Sequence, residues 1–174
     1  MSLRTLHALS GLALIAAGVA GAPGLAWAAP PVSVVFVDPG AYIDVRQFGA
    51  GRLGADQAVL RRLRTHFERL GERRLAPGQS LVLEVLQIDL AGYRRTGRTA
   101  DAARIATEAD WPSLRLHYVL SEGGVVVLDA TETVADTNYL RHGGPYANDS
   151  LRYEKRMLDD WFQARIMERR APPP

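Results

Sequence analysis

Asp38 and Asp89 are the residues whose types and positions best suit chemistry, because each closes a run of strand-forming residues, Val32–Val37 and Ser80–Leu90. If those runs are parallel neighbours, both carboxylates lie at strand carboxyl ends, where open sheets with crossover helices place ligands. Together with Asp44 they could offer oxygen ligands to a hard cation such as Ca²⁺ or Mg²⁺. The same residues also suit turns. Asp38 opens Asp38-Pro39-Gly40, and Asp89 can accept backbone N–H groups of Leu90-Ala91-Gly92. Turn use is the commoner role of a strand-end Asp, so no metal or other cofactor is expected, and the Asp38–Asp89 site stands only as the alternative.

A second group lies in Asp136–Tyr146 (DTNYLRHGGPY), where Asn138, Tyr139, Arg141, His142 and Tyr146 share a glycine-containing segment. Histidine can act as acid, base or ligand, although a lone loop His is most often solvated. His66 falls on a helix and His117 on a strand, facing away from Leu116 and Tyr118. There is no HxH or HExxH spacing and no Cys, which argues against zinc. None of the serines sits in a G-x-S-x-G elbow, and no phosphate-binding glycine pattern is present. A hydrolase built on Asp38, Asp89 and Asp110 or His142 therefore has no motif behind it.

Arg94, Arg95, Arg98 and Arg104 cluster on a long connection. Guanidinium forks suit phosphate or carboxylate, so anionic lipid, lipopolysaccharide or an acidic patch on an envelope protein are the partners this stretch would take. A short charge run is also what a solvated loop looks like. In the last helix, Lys155 with Asp159 and Arg156 with Asp160 stand at i,i+4 spacing. Trp161 and Phe162 belong in a core, while Tyr153 or Glu154 could reach Asn138-Tyr139 and tie that loop down.

These groups need elements to position them. Val32–Val37 (VSVVFV) is apolar enough to be a strand buried on both faces, ending at the Asp-Pro-Gly turn. From about Asp56 to Arg74, Val59, Leu60, Leu63, Phe67 and Leu70 recur at spacings of three and four, leaving Arg61, Arg62, Arg64, Glu68 and Arg69 outside. Ser80–Leu90 is a second strand. Leu114–Leu120 alternates and joins Val125–Val134 through Glu122-Gly123-Gly124, which reads as a hairpin. Asn148-Asp149-Ser150 enters a second amphipathic helix running to about Glu168. The order β-α-β-β-β-α predicts an α+β two-layer sandwich, a mixed four-stranded sheet with two helices on one face.

Residues 1–28 read as a cleavable export signal: Arg4, the apolar stretch Ala8–Ala20, then Gly21, Pro23 and Gly24 before Ala26-Trp27-Ala28. Prolines at 23, 30 and 31 oppose a continuous membrane helix. Removing these residues from the 174 leaves 146, about one domain, 29–170 with a short tail. Only Arg4 of the 21 basic residues is lost, against 19 acidic ones, so no global charge favours nucleic acid.

Four segments together resemble the bacterial family called domain of unknown function 3016: VVFVDPGAYID at 34–44, IDLAG at 88–92, Asp110-Trp111-Pro112, and Asn138-Tyr139 followed by YEKRMLDDWF at 153–162. The resemblance spans roughly residues 32–165. It implies an exported protein of Gram-negative bacteria and carries no catalytic residue over. The sequence thus points to a periplasmic, non-enzymatic binding or accessory domain of the envelope, with a carboxylate-based metal protein or hydrolase as the alternative.

Overall fold

The computed structural model describes residues 30–42, 53–94, 104–142 and 144–171. The expected signal, Asp44, Arg95 and Arg98 lie outside the described residues. Strand β1 (Val32–Phe36) is followed, after a short 3-10 turn at Pro39–Ala41, by helix α1 (Leu53–Arg74) and strand β2 (Gln79–Asp89). β1 and β2 pair in parallel, Val34 opposite Leu83. A two-residue ribbon, β3 (Tyr93–Arg94) with β4 (Arg104–Ile105), interrupts the connection expected to be wholly loop. β5 (Ser113–Glu122) and β6 (Val125–Ala135) then form the antiparallel hairpin, and β5 also pairs antiparallel with β2. The main sheet has four strands in the order β1-β2-β5-β6.

The hairpin turn works because Gly123 and Gly124 both adopt positive φ, 57° and 83°, the pair that a two-residue turn matching strand twist requires. Helix α2 (Arg152–Phe162) follows and widens into one π-helical turn, Gln163–Met167. It starts two residues later than the Asn148-Asp149-Ser150 entry suggests. The Asp149 carboxylate nevertheless accepts the Leu151 N–H at 2.8 Å, so this residue still satisfies a free donor at the helix start.

The two helices cover one face of the sheet, an α+β two-layer sandwich. Leu63, Phe67 and Leu70 of α1 and Leu158, Trp161, Phe162 and Ile166 of the second helical segment bury against Leu81, Leu83, Leu114, Leu116, Tyr118 and Leu120. α1 lies on β1 with little space to spare, for a Cβ at Gly71 would stand 2.0 Å from Val32 Cγ2. The run Val32–Val37, read as buried on both faces, is covered on one only: Val32 and Val34 are buried, but Val35 and Val37 are 46% and 41% exposed. It is an outer strand, and all the covering helix lies on one side.

At the carboxyl end of β1 the chain is pinned to β2. The Val85 carbonyl, on the β1 side of β2, accepts the Val37 N–H at 2.9 Å, one step beyond the paired strands, and the Tyr42 hydroxyl at 2.7 Å. Burial pushes the Tyr42 hydroxyl up to about 12. At the opposite end, the Pro31 carbonyl accepts the Leu81 N–H, Gly78 accepts the Gly123 N–H, and Arg169 pairs with Glu122. Among the described residues, no helix is long and apolar enough to cross a membrane.

Candidate functional site

Glu154 sits in the first turn of α2 and is buried. Its Oε1 accepts the Ala91 N–H at 2.8 Å, fixing the turn that follows β2. Gly92 comes next with φ 70°, and a Cβ there would stand 2.3 Å from the Ile105 carbonyl oxygen, so only glycine fits. Its N–H donates to the Asp110 carbonyl at 2.8 Å. Asp110 is held in its own turn, where the Thr107 hydroxyl donates to Oδ2 at 2.7 Å. Tyr139 then grips Thr107 twice, donating its hydroxyl to the carbonyl at 2.7 Å and accepting the N–H at 2.9 Å. Burial raises the Tyr139 hydroxyl pKa. The Tyr139 ring meets Tyr153 edge to face, 4.6 Å between centroids. This is a fastening that joins four distant segments.

Glu132 anchors a second network. Its Oε1 accepts the Tyr118 hydroxyl at 2.8 Å, the Trp161 indole N–H at 2.9 Å and the Arg165 Nε–H at 3.0 Å, and Arg165 also reaches Oε2 at 3.1 Å. Burial and then the carboxylate raise the Tyr118 pKa, keeping its hydroxyl a donor. Beside this network a cavity of about 450 Å³ is lined by Glu132, Asp136, His142, Asp160, Trp161 and Arg165 among others. His142 Nδ1 lies 2.7 Å from Asp136 Oδ2 at its rim.

The third arrangement is a cleft over the outer face of α1. Its volume is about 410 Å³, and Ala58, Arg61, Arg62, Thr65, His66, Arg69 and Lys155 line it. Arg62 donates to Asp149 Oδ1 and to Ser150 Oγ, both at 2.6 Å, and the Lys155 ammonium reaches Asp149 Oδ2 at 2.5 Å. Burial opposes ionisation of Asp149, but Lys155, the Leu151 N–H and Arg62 outweigh it and hold the carboxyl below its usual value. On the floor, buried His66 places Nε2 3.0 Å from Asp159 Oδ1, at an angle outside that of a hydrogen bond. Tyr146 donates to the other Asp159 oxygen at 2.8 Å and meets His66 edge to face. Burial pushes the Tyr146 hydroxyl up to about 12. Burial also opposes ionisation of Asp159, yet contact with His66 and Tyr146 leaves its pKa lowered. Arg61 and Arg69 make no hydrogen bond or ion pair among the described residues.

A family model described as Protein of unknown function (DUF3016) matches residues 30–164. The chain belongs to that family. No curated protein and no solved structure gives a significant match. Three of the four segments that resemble DUF3016 meet in the fastening: Ala91 and Gly92, Asp110, and Tyr139 with Tyr153 and Glu154.

The candidate residues of this DUF3016 chain therefore divide. Asp110, Tyr139 and Glu154 converge, together with Ala91 and Thr107, while Asn138 is exposed and donates its backbone N–H to Asp136. Asp38 is exposed with φ 47°, its carbonyl accepting the Ala41 N–H, and serves the turn. Asp89 ends β2 opposite Ser113, so the parallel register does place both aspartates at the same end of the sheet. Among the described residues, no group of three or more His, Asp or Glu is placed to hold a metal ion. Arg94 and Arg104 are register partners in the β3–β4 ribbon. Arg156 pairs with Asp160 as expected, but Lys155 turns from Asp159 to Asp149, because His66 and Tyr146 already occupy Asp159.

Sequence reasoning passed over two groups. His66 stands three residues after Leu63 and four before Leu70, inside the apolar stripe, and a titratable group there signals a buried partner. Glu132 alternates with Ala130 and Val134 on the covered side of β6, the same signal at strand period.

Proposed function

We propose that the chain is an exported, non-enzymatic binding domain of the bacterial envelope, and that it takes an anionic group in the cleft over α1. The observation that carries this reading is the lining of that cleft. Arg61, Arg62, Arg69 and Lys155 share it with the Thr65 hydroxyl; among the described residues, no acidic side chain lines it and Arg61 and Arg69 have no partner. Guanidinium groups present paired donors that match phosphate or carboxylate oxygens. A focused positive cleft on a protein of nearly balanced charge favours a discrete anionic ligand over a general polyanion. Export is supported by residues 1–28, whose charged start, apolar stretch and small-x-small end suit a cleaved signal.

The whole chain, expressed with its own signal in a Gram-negative host, is expected in the periplasm with Ala29 as its first residue. Recovery from the cytoplasm with residues 1–28 intact overturns export. Calorimetric titration of the recovered protein with inorganic phosphate at low salt is expected to give saturable heat that an Arg61→Ala/Arg69→Ala variant loses. No heat, or the same heat in the variant, overturns the binding reading.

A further inference from the structure

The cleft has an internal distribution of charge that narrows its ligand, an inference that rests on the anion-binding reading above. Arg61 and Arg69 are eight residues apart on α1, about 12 Å along the axis at about 1.5 Å per residue. Both line the same cavity, and neither has an internal partner among the described residues. Between them the charges are already met. Arg62 and Lys155 share the Asp149 carboxylate, with Ser150 completing the Arg62 fork, and His66 rests against Asp159. The middle therefore offers the Thr65 hydroxyl and a near-neutral floor, while each end offers a free guanidinium.

We infer that the cleft takes a ligand with two phosphate-type groups, one for each of two guanidinium groups that leave α1 about 12 Å apart along its axis, joined by a polar, hydroxyl-bearing core. A single phosphate satisfies one pole and leaves the other cation exposed. A ligand with both groups gains the second contact as an intramolecular event, without a second loss of translational freedom. The ligand's core meets paired charges, so it needs hydroxyls rather than further anionic groups. Such chemistry occurs in soluble sugar bisphosphates and in lipid headgroups built on a doubly phosphorylated disaccharide.

Two arms distinguish these sources. In the first, hexose 1,6-bisphosphate, hexose 6-phosphate and inorganic phosphate are each titrated into the full protein recovered from the periplasm. In the second, the protein is offered phosphatidylcholine vesicles doped with a disaccharide lipid phosphorylated at both ends, or at one end only. The bisphosphorylated form is expected to bind about tenfold or more tightly than its monophosphorylated counterpart in at least one arm, and that arm identifies the source. Arg61→Ala and Arg69→Ala, each at an exposed residue without an internal partner, are expected to remove the preference singly. A smaller ratio in both arms, or a preference untouched by either substitution, overturns the inference. Saturable phosphate binding without a bisphosphate preference leaves the anion-binding reading standing, and no binding of any anion overturns both.

Discussion

Glu154 and Ala91 are 63 residues apart in the chain, yet the carboxylate of one holds the backbone N–H of the other at 2.8 Å inside the protein. The bond ties the first turn of α2 to the turn after β2, where Gly92 and Asp110 continue the chain of contacts. Losing the acceptor of a buried hydrogen bond leaves the donor unsatisfied. Glu154→Ala is therefore expected to cost about 1–3 kcal/mol, read from urea denaturation. Glu154→Gln keeps an acceptor and is expected to cost less. Equal effects of the two would show that the side chain acts by volume alone.

Gly71→Ala has a sign opposite to its helix propensity. In an exposed helix the change would stabilise by about 1 kcal/mol. Here the new methyl meets Val32 Cγ2, on a stiff β-branched side chain in the core. We expect destabilisation by about 1–3 kcal/mol from overpacking, with Val32→Ala/Gly71→Ala losing less than the sum of the single changes. Strict additivity would count against the contact.

Glu132→Ala would leave the Arg165 guanidinium, the Trp161 indole N–H and the Tyr118 hydroxyl converging on an empty position. Breaking one side of a largely buried ion pair costs about 3–5 kcal/mol. Trp161 emission should shift as the indole loses its acceptor, and thermal denaturation measures the cost. A variant within about 1 kcal/mol of the parent, the usual scale of a surface pair, would show the network to be dispensable.

His117 lies on the uncovered face of the sheet, Nδ1 3.0 Å from Glu84 and Nε2 3.0 Å from Asp129, so it bridges β2 and β6 across β5. Its hydrogen bonds, first to Asp129 and then to Glu84, raise its pKa above the usual 6.5. The folded state therefore holds the proton more tightly than the unfolded one. That contribution is whole below about pH 6.5 and is lost as pH rises through the raised value. The difference in Tm between the parent and His117→Asn should be larger near pH 5.5 than near pH 8.5. Equal differences at the two pH values would rule out this linkage.

The elements were legible where one periodicity governs them. Val59, Leu60, Leu63, Phe67 and Leu70 announce α1, Leu114 to Leu120 announce β5, and the glycine pair announces the turn, because each pattern follows from local geometry alone. The face exposed at Val35 and Val37 was not legible, since an apolar run cannot say whether its strand is flanked by one layer or two. The candidate site was legible in part. Tyr153 or Glu154 was expected to reach Asn138-Tyr139, and the Tyr153 ring does meet Tyr139, but Asp110 stood apart and no pattern within a segment announces that Glu154 reaches Ala91. The α1 cleft was hidden differently: Arg61, Arg62 and Arg69 looked like an ordinary solvated face until Asp149 and Lys155 arrived from a distant segment to occupy its middle.

The contacts at Pro31 and Arg169 have a consequence for how the domain can be mounted. Pro31 joins the start of β2, while Arg169 reaches the hairpin turn at Glu122, whose neighbour Gly123 bonds to Gly78 just ahead of β2. The leading and trailing segments thus leave from one pole of the sheet, while Ala91, Asp110, Tyr139 and Glu154 occupy the other. A module with adjacent exits can be spliced into a surface loop of a host protein, or carried on a stalk, with its far pole facing outward.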